Sequence, residues 1–323
     1  MSPEISSAID SIEVSLSVGG MNVINTVLSF VMFGIALDIH PSVFIDVFKK
    51  PKGVLIGALC QFLLLPALTF LLAIALGDLI SPMIALGMIL VASCPGGNIS
   101  NFISSISKAN IELSVSLTAI NTLLAIVMTP LNFWVWSSLY LKISSITAEI
   151  PYLSIPVWEV FKTIVILLGI PLVLGVLCTR FLPKLANALK KPMQYLSIIF
   201  FIVMVVLSFY SNIDAFLKCI KYIFLVVFIH NLLALGIGYG TALSLKLPER
   251  DRRTLSIETG IQNSGLGLVL LFNPLIFGHF PPHGGMLVIT AWWAVWHIVS
   301  GLTIALIFNL KDARKKKNNQ KED

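Results

Sequence analysis

Long apolar runs separated by short polar connectors set the pattern of this chain. An α-helix needs about 20 apolar residues to cross the hydrocarbon core of a bilayer. Read at that length, nine spans are predicted. They lie near Met21–Leu37, Gly53–Leu76, Pro82–Ser107, Leu113–Leu139, Val160–Leu177, Tyr195–Phe209, Tyr222–Leu245, Thr254–Phe277 and Met286–Phe308. Two of them are broken by polar residues. The third contains Pro95-Gly96-Gly97-Asn98-Ile99-Ser100-Asn101, and the eighth contains Glu258-Thr259-Gly260-Ile261-Gln262-Asn263-Ser264-Gly265. Paired interruptions of this kind point to the binding site of a secondary transporter.

Composition supports an all-α polytopic membrane protein: 57% of residues are hydrophobic and 12% charged, against about 25% charged in soluble domains. The net charge of +6 does not indicate a nucleic-acid partner, because the basic residues cluster in connectors and in the tail Lys311-Asp312-Ala313-Arg314-Lys315-Lys316-Lys317. Such clusters set topology and attract anionic head groups of the lipid bilayer. With the N-terminus outside, 18 of the 22 Lys and Arg residues face the cytoplasm, leaving Lys142, Lys162, Lys218 and Lys221 on the other side. The positive-inside rule therefore predicts N-out, C-in, in a cell membrane. Residues 1–20 are too polar for a signal peptide and read as an external arm or surface helix. Residues 21–310 form the membrane unit, and 311–323 a basic cytoplasmic tail. Each interrupted span is followed by a long one that closes its half, so repeats near 21–140 and 158–310 are expected, with inverted topology. Cys60, Cys94, Cys178 and Cys219 are scattered without metal-type spacing and read as free thiols.

Glu258 is the acidic residue at membrane depth, where a carboxylate costs several kcal/mol unless compensated. A break frees carbonyl oxygens, which suit a small cation, and exposes amide N–H groups at the next half-helix, which suit an anion. Ser100, Asn101, Glu258 and Gln262 add hard oxygen ligands. On the fourth span Ser114, Thr118 and Asn121 share one stripe, and Gln61 is a lone amide in an apolar run. Hard oxygens without His or Cys favour an alkali or alkaline-earth ion. A single carboxylate narrows this to sodium. Each Ser, Thr, Asn or Gln also has a bland reading, bonding to backbone or joining helices.

Cys94-Pro95-Gly96-Gly97-Asn98-Ile99-Ser100-Asn101 and Glu258-Thr259-Gly260-Ile261-Gln262-Asn263-Ser264-Gly265-Leu266 resemble the two signature segments of the bile acid:sodium symporter family, and Val295–Gly301 resembles its last helix. The resemblance covers roughly residues 21–310. It implies a core domain with two discontinuous crossing helices beside a panel domain, with substrate between them. It further implies two sodium ions. The first would be held by Ser100, Asn101, Ser114, Thr118 and Glu258. The second would be held by Gln61, Glu258 and Gln262 with backbone oxygens of Thr259 and Ile261. The chain looks like the nine-helix arrangement, lacking the extra first helix of ten-helix members. Asn98 and Ile298 depart from common family residues near the expected substrate.

His297, among Trp292, Trp293 and Trp296, is either a donor to an anionic substrate or a packed histidine. His230-Asn231 reads as structural, Asp38 and Glu159 as snorkelling span-end residues, and Phe209, Tyr210 and Tyr222 as interfacial anchors. No Gly-x-Ser-x-Gly elbow, paired intramembrane aspartates or phosphate loop is present. The expected function is sodium-coupled symport of small organic anions by alternating access, the anion docking near Asn98, Asn263, Ser264 and His297. Bile salts, sulfated steroids, pantoate-like hydroxy acids and short keto acids all fit, in any oligomeric state. A proton-coupled carrier, or an intramembrane enzyme or receptor, is the alternative.

Overall fold

The computed structural model describes residues 10, 18–37, 51–97, 99–144, 158, 161–162, 165–210, 213–277 and 283–322. Asn98, Asp38, Glu159 and most of the 1–20 arm lie outside the described residues, as do the side chains of Phe209, Tyr210 and Cys219. Among the described residues the protein is helical throughout, and its one β-type pairing is an isolated antiparallel bridge between Gly96 and Gln262.

The helices run in chain order as α1 (Val18–Ala36), α2 (Pro51–Leu59), α3 (Leu65–Leu76), α4 (Pro82–Ser93), α5 (Ile99–Ile106), α6 (Ile111–Ile143), α7 (Ile170–Phe181), α8 (Pro183–Tyr210), α9 (Ile213–Ser244), α10 (Glu249–Gly260), α11 (Ser264–Leu271), α12 (Pro274–Phe277) and α13 (Gly284–Glu322). A π-helical turn, Cys60–Leu64, joins α2 to α3 without a break in direction. Pro51–Leu79, Ile111–Ile143, Ile220–Ser244 and Gly284–Gln320 are each long and apolar enough to cross a membrane alone. Leu55, Leu71, Ile199, Leu232 and Leu306 stand mostly exposed along these and neighbouring helices. Such an apolar surface is stable against lipid and would aggregate in water. The protein is a multi-pass membrane protein.

Two boundaries differ from the sequence expectation. α10 begins at Glu249 rather than near Thr254, so the charged connector is already helical. Pro248 precedes it, and Glu249 and Asp251 in the first turn complement the positive end of the helix dipole. α13 continues through the basic tail to Glu322. Lys and Arg are good helix formers, and the tail helix is tied down by Asp312, which pairs with Arg253 of α10.

Two packed regions hold the interrupted helices. α4, α11 and α13 share a core in which Ile84, Met88, Ile89, Leu268, Met286, Ile289 and Trp293 are almost fully buried. α2, α6, α9 and α10 share another, built on Val54, Leu113, Leu117, Ala234 and Leu255. Burying such side chains contributes roughly 1.5–3 kcal/mol each in water. In lipid, close packing and satisfied polar groups carry more of the load.

Candidate functional site

The two breaks meet. α4 ends at Ser93 and the chain resumes helix at Ile99; α10 ends at Gly260 and resumes at Ser264. Between them the extended segments bond to one another. Gly97 N donates to Ile261 O at 2.8 Å and Asn263 N donates to Pro95 O at 2.9 Å. Backbone groups that would otherwise be stranded at membrane depth are thereby satisfied. Approach this close requires the glycines. A Cβ on Gly96 would lie 3.0 Å from Glu258 O and 3.1 Å from its Oε2, and one on Gly97 3.2 Å from Gln262 O.

Glu258 points into this junction and is 2% exposed. Its Oε1 accepts from Ser100 Oγ at 2.6 Å and Ser114 Oγ at 2.5 Å, while Thr118 Oγ1 lies 3.1 Å from Oε2. Asn101 Oδ1 faces the same two α6 hydroxyls, 2.8 Å from Ser114 Oγ and 3.2 Å from Thr118 Oγ1. Six side-chain oxygens therefore converge, one each from Ser100, Asn101, Ser114 and Thr118 and two from Glu258. The three hydroxyls supply only three hydrogens, and Ser114 and Thr118 are each shared between Glu258 and Asn101. Among the described residues no Lys, Arg or His pairs with this carboxylate. The cluster is rich in lone pairs, and its carboxyl group has no basic partner among the described residues. That is the chemistry of a hard-cation site, and with one carboxylate it suits a monovalent ion better than a divalent one.

The structure brings all five residues expected at the first sodium position together. It adds Ser104, whose Oγ is 3.1 Å from Ser114 Oγ and which sequence reading passed over. Ser100 and Ser104 are one turn apart on α5, so the helical spacing was the available signal. Asn121, farther along the α6 stripe, is buried with its Oδ1 unbonded.

Of the residues expected at the second sodium position, Gln61, Gln262 and Thr259 are joined by hydrogen bonds, while Glu258 bonds to Ser100, Ser114 and Thr118 instead. Gln61 Nε2 donates to Gln262 Oε1 at 2.9 Å and to Cys94 O at 2.6 Å. Gln262 Nε2 donates to Thr259 O at 2.6 Å. Ile261 O accepts the Gly97 amide. The two glutamines thus close on each other and on the break carbonyls. Half a turn of either terminal amide exchanges its nitrogen for oxygen and presents that oxygen to the junction.

Of the residues expected to meet an anion, Asn263 caps α11 through Oδ1, which accepts from Leu266 N at 3.0 Å. Ser264 Oγ lies 3.3 Å from His297 Nδ1, and the buried His297 Nε2 has no hydrogen-bond partner. Ser264 and His297 thus link the second break to α13, next to Asn263 in the chain. Asn98 lies outside the described residues. Two open, mainly apolar grooves lie elsewhere: one of about 860 Å³ between Leu64, Leu68 and Leu232, and one of about 440 Å³ beside Phe224, Val295 and Trp296.

The profile of the Sodium Bile acid symporter family matches residues 25–219, more than half of the chain and including the first break. The chain belongs to this family. It is similar to the sodium-dependent transporter YocS of Bacillus subtilis, with 31% identity over 89% of this chain and 83% of that protein. Similarity to human sodium/bile acid cotransporter 4 is 28%, over 90% of this chain and 64% of the relative. For the mouse P3 protein identity is 32% over 70% of this chain, which spans 46% of that relative. These are matches to a family of transporters, and the longer ones extend through the second break as well as the first.

Proposed function

We propose that this member of the sodium bile acid symporter family is a sodium-coupled secondary transporter that imports organic anions, bile acids or related small carboxylates and sulfonates, by alternating access. The observation that carries the reading is the buried ring of six oxygens around Glu258, whose carboxyl group has no basic partner among the described residues. Sodium coming to Ser100, Asn101, Ser114, Thr118 and Glu258 would cancel the charge of the carboxylate. A second sodium at Gln61, Gln262, Glu258 and the carbonyls of Thr259 and Ile261 would order the junction. The names of YocS and the bile acid cotransporters support sodium coupling and this substrate class.

Neutralising the junction leaves the N-terminus of α11 and the amides near Asn263 and Ser264 as the electropositive surface. The anion docks there, against Asn98, Asn263, Ser264 and His297. Coupling then has a simple electrostatic source: the anion is repelled by a bare Glu258 and accepted once sodium is bound. The architecture in this reading is nine spans in inverted repeats, with the crossing helices in a core beside a panel domain. The N-terminus lies outside and the basic tail in the cytoplasm.

Uptake of labelled taurocholate and labelled pantoate into proteoliposomes, driven by a sodium gradient, tests the proposal. Uptake should collapse when potassium replaces sodium. Uptake that ignores sodium and follows the pH gradient would instead assign a proton to Glu258. Chemical turnover without gradient-driven flux would point to an enzyme.

A further inference from the structure

Each interrupted helix leaves carbonyls without helical partners at the end of its first half. In the first half of the chain, Gln61 on the preceding helix donates from Nε2 to Cys94 O, the first residue after α4, at 2.6 Å. In the second half, Asn231 on the preceding helix, α9, donates from Nδ2 to Gly260 O, the last residue of α10, at 2.7 Å. Both amides are at least 98% buried. The arrangement repeats: an amide side chain from the helix just before the break fixes the carbonyl on which that break opens.

Gly260 sits between Thr259 and Ile261, whose carbonyl oxygens face the junction. Its own oxygen is turned the other way, toward α9. The contact is closely packed on both sides. Ser256 Oγ donates to Leu235 O at 2.9 Å, and a Cβ on Gly238 or Gly260 would collide with Leu255 O or Leu235. The neighbouring His230 is fixed by Thr69 Oγ1 at 2.8 Å and by Trp293 Nε1, 3.2 Å from its Nδ1.

Resting on the sodium reading above, we propose that Asn231 is a positioning residue for the second sodium: by holding Gly260 O it aims the Thr259 and Ile261 carbonyls into the junction, as the counterpart of Gln61 in the other half. Asn231 does not touch the ion. It acts through the peptide planes on either side of Gly260, and an outer partner of this kind alters metal affinity by about 10–100-fold.

The test is a sodium titration of the melting temperature of the purified full chain in detergent, at constant ionic strength with potassium as the replaced cation. In Asn231→Ala and in Asn231→Leu, which roughly keeps the volume but has no donor, the half-saturating sodium concentration should rise about ten-fold. The melting temperature in potassium alone should change far less. Thr69→Val, which breaks the His230 contact but reaches neither break, should stay within about two-fold of the parent. An unchanged sodium midpoint in both Asn231 variants overturns the proposal, as does failure of both to yield folded protein, which would make Asn231 a stability residue. A parent chain without any sodium response would sink the sodium reading itself, a separate outcome.

Discussion

Two buried charges in this protein are handled in opposite ways. Arg253, 4% exposed, has its counter-ion built in. It makes a bidentate pair with Asp312, with distances of 2.9 and 2.5 Å, donates to Ser107 O at 3.1 Å, and lies 5.0 Å above the Phe308 ring. Glu258, also buried, is met by three hydroxyls and by no cation among the described residues. A charge that serves only structure is normally paired where it is buried, because an unpaired one costs several kcal/mol. In the proposed reading the partner of Glu258 is sodium from solution, whereas the partner of Arg253 belongs to the chain itself. The Arg253 cluster ties α5, α10 and the tail of α13 into one block, and the Glu258 cluster sits where α5, α6 and α10 meet.

The largest effect is expected from removing the unpaired charge. Glu258→Gln keeps the shape but removes the charge and turns one acceptor oxygen into an amide donor, and it should lower sodium-driven uptake at least about a hundred-fold. The folded protein should melt no lower than the parent in potassium, since burying a neutral amide is cheaper. Normal sodium-driven flux in that variant would remove Glu258 from the site. A smaller loss is expected from its hydroxyl neighbours. Ser114→Ala should raise the half-saturating sodium concentration about ten-fold while leaving maximal uptake within a few-fold, measured by uptake against sodium.

The paired charge should show the reverse profile. Asp312→Asn should lower stability by about 1–2 kcal/mol by removing charge-assisted bonds to Arg253, with little change in sodium affinity. If its sodium midpoint moved as far as that of Ser114→Ala, the separation of the two clusters would fail. The smallest effect concerns pH. Arg253 beside it holds the Asp312 carboxyl below the usual carboxylate range. A depressed acid stabilises above its unfolded value, about 3.9, and loses that contribution as pH falls through its lower folded value. The melting difference between the parent and Asp312→Asn should therefore be flat from neutral to mildly acidic pH and shrink only below about pH 4.

How much of the site was legible in sequence depended on which forces write themselves locally. Glu258 was readable because a carboxylate in an apolar run conflicts with its surroundings, and the two breaks because Pro95, Gly96 and Gly97 deny the helix its bonds. The stripe Ser114, Thr118 was readable from helical spacing. Ser104 carried the same spacing signal on α5 and was missed among many serines. Asn231 stood out beside His230 as a polar pair in an apolar span, but nothing local said what it bonds. Its partner, Gly260 O, is 29 residues away in sequence, and only the packing of α9 against α10 joins them. The charged start of α10 was read as a connector, since polar residues look alike in a loop and in a helix that projects beyond the bilayer.

Hydrophobicity alone determined that this chain lives in a membrane as helices, because burying backbone in lipid leaves few other choices. Residue chemistry alone determined that hard oxygens and one acid flank two helix breaks. Only the tertiary structure decided that the breaks face each other, with Gly96 against Gln262 and both signature segments on one carboxylate. That pairing depends on contacts between residues more than a hundred and fifty positions apart, and no periodicity along a chain encodes the approach of two such distant segments.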